Sequence, residues 1–364
     1  MQELILDIVD RTSMHAYYDK LYTTRKKRPP LSALIFITDL DVEDLPEIIS
    51  QRTKLAKSYS TNIENLGDSL HRVSLQRILG LREIRGEFIV DGSFEGIWIV
   101  LTNAESYFIT HVIERFFKKL YPIISRIYLN YSQIKSVLET IRKSCHGTTT
   151  LTFFTIKREK PEPKEEMVYR PRKGTQILWD ENVDEDIKRL ISDGFVINVD
   201  RLDFVLKGEN DTILLKAQIA RTGLSKLKFG SFSTFYKNVI CEIIRYGLDR
   251  KSFYGERERN IEKGVIKLRP LQITYASAFH NEQLFLLAKK LSNSYSCSVI
   301  HGGNPYFAAD LCDCEDGSSF GVAALGNSVT VTPFSRGTPS AVWKLLNRIQ
   351  EIMGDGEITD VRMR

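Results

Sequence analysis

The densest chemistry in this 364-residue chain is a run of cations with aromatic rings set among them. Residues 216–269 hold 13 Lys and Arg against 5 Asp and Glu, whereas the whole chain is only +5, so everything outside the run sums to −3. Phe229, Phe232, Phe235, Tyr236, Phe253 and Tyr254 stand among those charges. A cationic surface with interleaved rings is what a polyanion with stackable bases requires. Lys226 and Lys228 read as a loop running into a helix start, where free N–H groups also favour anions. Arg250 and Lys251 follow that helix. The expected contacts to a phosphate backbone are Arg221, Lys226, Lys228, Lys237, Arg250 and Lys251, with Phe229 or Tyr254 as stacking rings. Clustered charge of this kind reads phosphate and says nothing about base sequence.

Catalytic patterns are weaker. Asp39-x-Asp41 follows an apolar strand, and paired carboxylates there can hold Mg²⁺ for phosphoryl chemistry. With Thr102 after a second strand and Gly354-Asp355-Gly356 before Asp360, the arrangement resembles haloacid-dehalogenase-like phosphatases. It departs from them at Glu43, where that family carries Thr or Val, and Gly354 follows a helix instead of a strand. As plain structure, Asp39 and Asp41 serve as loop and N-cap residues for a helix from Leu45. Asp203 opens a hairpin and Lys216 sits on its second strand, an order that resembles restriction-endonuclease-like nucleases. The carboxylate such a site needs two residues before the lysine is replaced by Leu214. Cys297, His301, Cys312 and Cys314 are four ligand types within 18 positions. On one strand, Cys297 and His301 would stand about 13 Å apart, too far to share a zinc ion. Small cysteines packed in a sheet are the simpler reading. No P-loop, Gly-x-Gly-x-x-Gly or nucleophile elbow is present, and no cofactor is indicated.

The elements that must position these residues follow from periodicity. Apolar residues at three- and four-residue steps predict a helix within 1–24, followed by the basic run 25–28. Residues 33–38 predict a buried strand, and 45–82 have a polar, helical pattern interrupted near Gly67. A hairpin is expected over 87–90 and 97–102 with its turn at Asp91-Gly92, then a helix over 104–119, a strand over 124–129 and a helix over 131–143. After a strand at 150–156, alternating charge with Pro161, Pro163 and Pro171 marks 157–175 as a linker or long loop. A short acidic helix is expected at 183–193, and a hairpin joins 195–206 to 212–221 around Gly208 to Asp211. Ser231 caps a helix over 233–246 that turns Phe235, Val239, Ile243 and Ile244 inward and leaves Lys237 and Arg245 outside. Residues 271–364 predict a helix at 281–292, four short strands, a helix at 339–353 and a last strand near 357–361. Neither a repeat nor a heptad array is evident.

The fold class is thus mixed α/β and α+β in two or three domains. The expected division is an N-terminal helix and basic arm over 1–32, an α/β domain over 33–156, the linker 157–175, a basic hairpin-plus-helix domain over 176–270 and an α+β domain over 271–364. A composition of 42% apolar and 27% charged residues is that of a folded chain. The acidic start MQELILDIVD lacks the basic region of a secretory signal, and no apolar run nears the roughly 20 residues of a membrane span, so a cytoplasmic protein without a membrane partner is expected. Five sparse cysteines do not form a disulfide framework. The leading functional expectation is a non-catalytic protein, or subunit of a nucleoprotein assembly, that binds DNA or RNA through 216–269. The alternatives are an interaction or regulatory subunit of a multi-protein system, such as a prokaryotic host-defence complex, and a diverged metal-dependent phosphoesterase or nuclease using Asp39 and Asp41.

Overall fold

The computed structural model describes residues 8–24, 28–79, 82–146, 148–159, 165–169, 177–178, 196–208, 212–255, 270–303, 306–315, 317–334 and 338–361. The expected helix at 183–193 and the basic residues at 25–27 lie outside these. The architecture is mixed α/β and α+β, with two antiparallel sheets. The chain divides into two compact units, one of residues 1–155, 168–180 and 199–248, the other of 156–167, 181–198 and 249–364.

The organising strand is β1 (Leu31–Ile37), in which Leu31 to Phe36 are all buried. A strand apolar on both faces is stable only when both faces are covered and both edges paired. On one edge β1 pairs antiparallel with β5 (Ile97–Thr102), from Ser32↔Thr102 to Ile37↔Ile97. On the other it pairs with β12 (Ser225–Gly230), from Leu31↔Leu227 to Ala33↔Ser225. The stretches 33–156 and 176–270 therefore share one sheet, and the boundary drawn between them at 157–175 does not separate two cores.

That sheet grows outward on both sides of β1. On the first side lie β2 (Tyr59–Gly67), β3 (Leu70–Leu79) and β4 (Arg82–Phe94), a meander ending in β5. The helical reading of 45–82 is corrected here: only Leu45–Gln51 (α2) and a turn after it are helical, and β2 and β3 form a hairpin whose corner is Gly67, Asp68 and Ser69, all at positive φ. Tyr59 and Ile63 on β2, and Val73 and Leu75 on β3, lie at even spacing within their strands and pack into the core, so period 2 overrode the polar composition. The β4–β5 turn falls at Gly96 and not at Asp91-Gly92, because a register shift carries β4 on to Phe94. On the other side, β10 (Val196–Lys207) and β11 (Ile213–Ala220) form the expected hairpin and lead into β12. Beyond β10 lie β7 (Thr148–Glu159) and β8 (Glu165–Tyr169); short β6 (Ser125–Arg126) pairs with β1 and β9 (Ile177–Leu178) with β7.

Each half ends in a helix with the same irregularity. After β5 the helical run Ser106–Phe108, Ile109–Ile113 and Glu114–Lys119 (α3) has a π turn at its middle segment, with the Glu114 N–H bonding to the Ile109 carbonyl. After β12 the run Phe232–Phe235, Tyr236–Ile240 and Cys241–Gly255 (α5) does the same, from Cys241 to Tyr236. At a constant offset, Phe108, Val112 and Ile113 match Phe235, Val239 and Ile240, all buried. β5 and β12 run parallel on either side of β1. Their helices take opposite faces. α3 covers Leu34, Phe36, Phe88, Trp98 and Val100 on the front, with Phe108 lying over Gly86, where a Cβ would stand 2.6 Å from the ring. α5 covers the back, where Tyr236 reaches Asp91 and Gly247 meets Ile97. A meander-plus-helix unit thus stands on each side of β1, with the two helices on opposite faces.

On the back face α1 (Arg11–Thr23) is tied down by buried chemistry. Asp91, fully buried, accepts from Arg11 at 2.8 Å, from the Tyr236 hydroxyl at 2.5 Å and from the Ser93 N–H at 3.1 Å. Asp19 accepts from the Phe232 N–H at 2.6 Å and from the Ser233 hydroxyl at 2.7 Å. α4 (Tyr131–Ser144) buries Ile134, Val137, Leu138 and Ile141.

The second sheet has the order β14-β15-β16-β17-β13-β18, built from β13 (Leu271–Thr274), β14 (Ser296–Gly302), β15 (Tyr306–Cys312), β16 (Ser319–Leu325), β17 (Ser328–Pro333) and β18 (Glu357–Asp360). α6 (Asn281–Ser292) and α7 (Pro339–Met353), the latter capped by Thr338 onto Ala341, lie at the expected places.

Candidate nucleic-acid interface

Lys226 and Lys228 lie on strand β12 and not in a loop. The strand alternates: Ser225, Leu227 and Gly230 are buried, while Lys226 is half-buried and Lys228 exposed. Because Lys226 pairs with Ser32, it shares the front face with Leu34 and Phe36. Across the next strands the same row continues through Gln218 to Asp203. Thr102, Ser32, Lys226, Gln218 and Asp203 thus form one polar row over β5, β1, β12, β11 and β10, about 19 Å long at the usual strand spacing. Thr102 and Ser32 are fully buried at one end, and Ser32 Oγ has no hydrogen-bond partner among the described residues. The other end opens to solvent through Arg201, Lys226 and Lys228.

The charges there do not balance. Asp203, 6% exposed, is the carboxylate in this part of the row. It accepts from Lys228 at 2.6 Å and from Arg201 Nε and Nη2 at 3.1 and 3.0 Å. Lys226 makes no ion pair among the described residues. Its pKa is held below the ordinary lysine value, first by burial and then by the charges of Arg201 and Lys228, against the weaker pull of Asp203 and Glu114. A half-buried ammonium between two cations is destabilised in a way that an incoming anion relieves.

Three expected contacts belong elsewhere. Arg221 is 4% exposed, at the turn between β11 and β12; its N–H donates to the Asp200 carbonyl at 2.8 Å and its carbonyl accepts from Leu129 N at 2.7 Å. It is part of the core of the turn and is dropped from the interface. Lys237 is exposed on α5, which covers the back face, so it cannot share a ligand surface with Lys226. Lys251 is half-buried near the end of α5, in the second unit. Phe229 is half-buried on β12, and the side chains of Arg250 and Tyr254 lie outside those described. Phe232, Phe235 and Tyr236 are core residues. Arg201, which the sequence reading passed over, joins the site because the β10–β11–β12 register brings it beside Lys226; alternation within 195–206 was the signal that put Arg201 and Asp203 on one face.

No group of three or more His, Cys, Asp and Glu able to hold a metal occurs among the described residues. Asp39 and Asp41 lie in the loop after β1, Asp41 before a single 3₁₀ turn at Val42–Asp44, and Glu43 is engaged by Asn65 at 2.8 Å. Lys216 pairs with Val205 and Phe229, while the carboxylate of Asp203 is taken by Arg201 and Lys228. All five cysteines are free thiols, and the His301 ring stacks on Tyr306 at 4.0 Å. No helix among the described residues is long and apolar enough to cross a membrane. No known family matches this chain, and no curated protein matches it in sequence.

Proposed function

We propose that the protein binds the phosphate backbone of a nucleic acid, alone or within a nucleoprotein assembly, through the open end of the front polar row. The observation that carries this reading is the surplus of Arg201, Lys226 and Lys228 over Asp203 at that end, with Lys226 half-buried and, among the described residues, without an ion pair. Cations on a strand are spaced to meet successive phosphates, and the binding they support is independent of base sequence. The test is fluorescence anisotropy with random single- and double-stranded DNA and RNA at about 50 and 200 mM salt. Three phosphate contacts lower affinity by roughly 20- to 40-fold over that range. Lys226→Glu with Lys228→Glu abolishes binding, whereas Lys237→Glu, on the other face, leaves it unchanged. Salt-insensitive binding, or equal loss in the Lys237 variant, overturns the reading.

A further inference from the structure

The first unit also holds a cleft of about 410 Å³ at the end of β5, lined by Arg28, Arg85, Asn103, Glu105 and Tyr107 over a floor that includes Phe108. Its size is that of a small-molecule site. Its chemistry is divided. Arg28 and Arg85 bring two guanidinium groups, the fork geometry that grips a phosphate. Tyr107, 55% exposed, offers a ring face, and the carboxamide of Asn103 and carboxylate of Glu105 offer hydrogen bonds to the edge of a base.

The second meander-plus-helix unit supplies an independent pointer. There the strand-to-helix corner is filled by the chain's own carboxylate, Asp19, held by the Phe232 N–H and the Ser233 hydroxyl. At the strand-to-helix corner of the first unit Glu105 stands at the helix start, and its side chain makes no capping hydrogen bond. The cleft with its two arginines opens at that corner instead. One unit holds the Asp19 carboxylate at its corner, and the other has a cleft at its corner that carries two arginines and Glu105.

We infer that this cleft is a nucleotide pocket, taking a nucleoside monophosphate either free or as the 5′-phosphorylated end of a strand. The cleft lies close to the backbone surface: Asn103 follows Thr102, which stands two strands, about 10 Å, from Lys226 in the polar row. The inference takes its ligand class from the backbone reading, while its physical support is separate.

The test is calorimetric titration of the full chain with adenosine 5′-monophosphate, with inorganic phosphate and with adenosine. Alongside these, anisotropy compares one labelled oligonucleotide with and without a 5′-phosphate. The monophosphate is expected to bind at least tenfold tighter than either fragment. Arg85→Ala and Tyr107→Ala, both exposed positions, each weaken it at least tenfold, and Lys237→Glu, on the other face, leaves it unchanged. A tenfold preference for the 5′-phosphorylated strand identifies a strand end as the source; tight monophosphate binding without that preference identifies a free nucleotide. Equal affinity for phosphate and monophosphate, or no effect of Arg85→Ala in a variant with wild-type thermal unfolding, overturns the inference. Oligonucleotide binding that depends on Lys226 without any monophosphate binding also overturns it and leaves the backbone reading standing. Monophosphate binding without oligonucleotide binding does the reverse.

Discussion

Lys226 carries opposed terms for folding and for binding. Its lowered pKa means that the charged form is disfavoured in the folded protein, chiefly by burial. Below the folded pKa both states are charged and the penalty is present; as pH rises toward 10.5 the folded lysine loses its proton first, and stability increases. Lys226→Met therefore stabilises the unliganded protein, by about 0.5 kcal/mol because water screens a half-exposed group. It also weakens oligonucleotide binding about tenfold. A higher urea midpoint with lower affinity is the expected pair of results. Asp203 has the opposite character. Asp203→Asn removes the negative charge that Arg201 and Lys228 share and leaves one acceptor oxygen, and costs about 1–2 kcal/mol in thermal unfolding. The cation released from it steepens the dependence of log affinity on log salt by up to about one unit. An interface variant that destabilises yet strengthens binding is hard to explain by general damage, so an unchanged or shallower slope counts against the site.

At the scale of elements, α1 docks through contacts that respond to pH. The His15 ring lies against Phe232 and Tyr236, with centroids 4.9 and 5.1 Å away, and Nδ1 is 3.1 Å from Ser233 Oγ. Burial is the largest cause that lowers its pKa, joined by Arg11 and opposed by Asp19 and Asp91. The unfolded chain then takes up this proton first as pH falls below about 6.5, so stability is full above that value and declines below it. Wild-type protein should show a urea midpoint that drops from pH 7 to pH 5, and His15→Gln a shallower drop. Identical pH profiles would show that the docking of α1 does not titrate. The same helix supplies Asp19 to the start of α5, so the N-terminal segment is a working part of the second meander-plus-helix unit.

For the whole molecule, the sheet rules out one division of the chain. A fragment of residues 33–156 lacks β12 beside β1 and lacks α1 and α5 on its back face, which exposes Ile97, Ile99 and Leu101. It is expected to be insoluble or to unfold without a cooperative transition. A fragment of residues 270–364 keeps all six strands of the second sheet together with α6 and α7, and is expected to unfold cooperatively. Circular dichroism melts of the two fragments check this, and a folded 33–156 fragment would show that β1 needs only one neighbour.

Local pattern by itself determined most single elements. The apolar run at 33–38, the β10–β11 hairpin, the Ser231-capped helix and the succession of strands from 296 to 333 lie where side-chain period and turn chemistry place them, because each depends on residues a few positions apart. The polar hairpin β2–β3 was illegible, since its strands have one buried face and a composition shared with exposed helices. The front row was illegible for another reason. Thr102, Ser32, Lys226, Gln218 and Asp203 are adjacent only through strand register, a product of long-range pairing about β1. Charge counting drew attention to Lys226 and Lys228 because a surplus of cations survives any fold. Only tertiary structure removed Arg221 into a turn, turned Lys237 to the back and added Arg201, because exposure and facing depend on what packs against a strand.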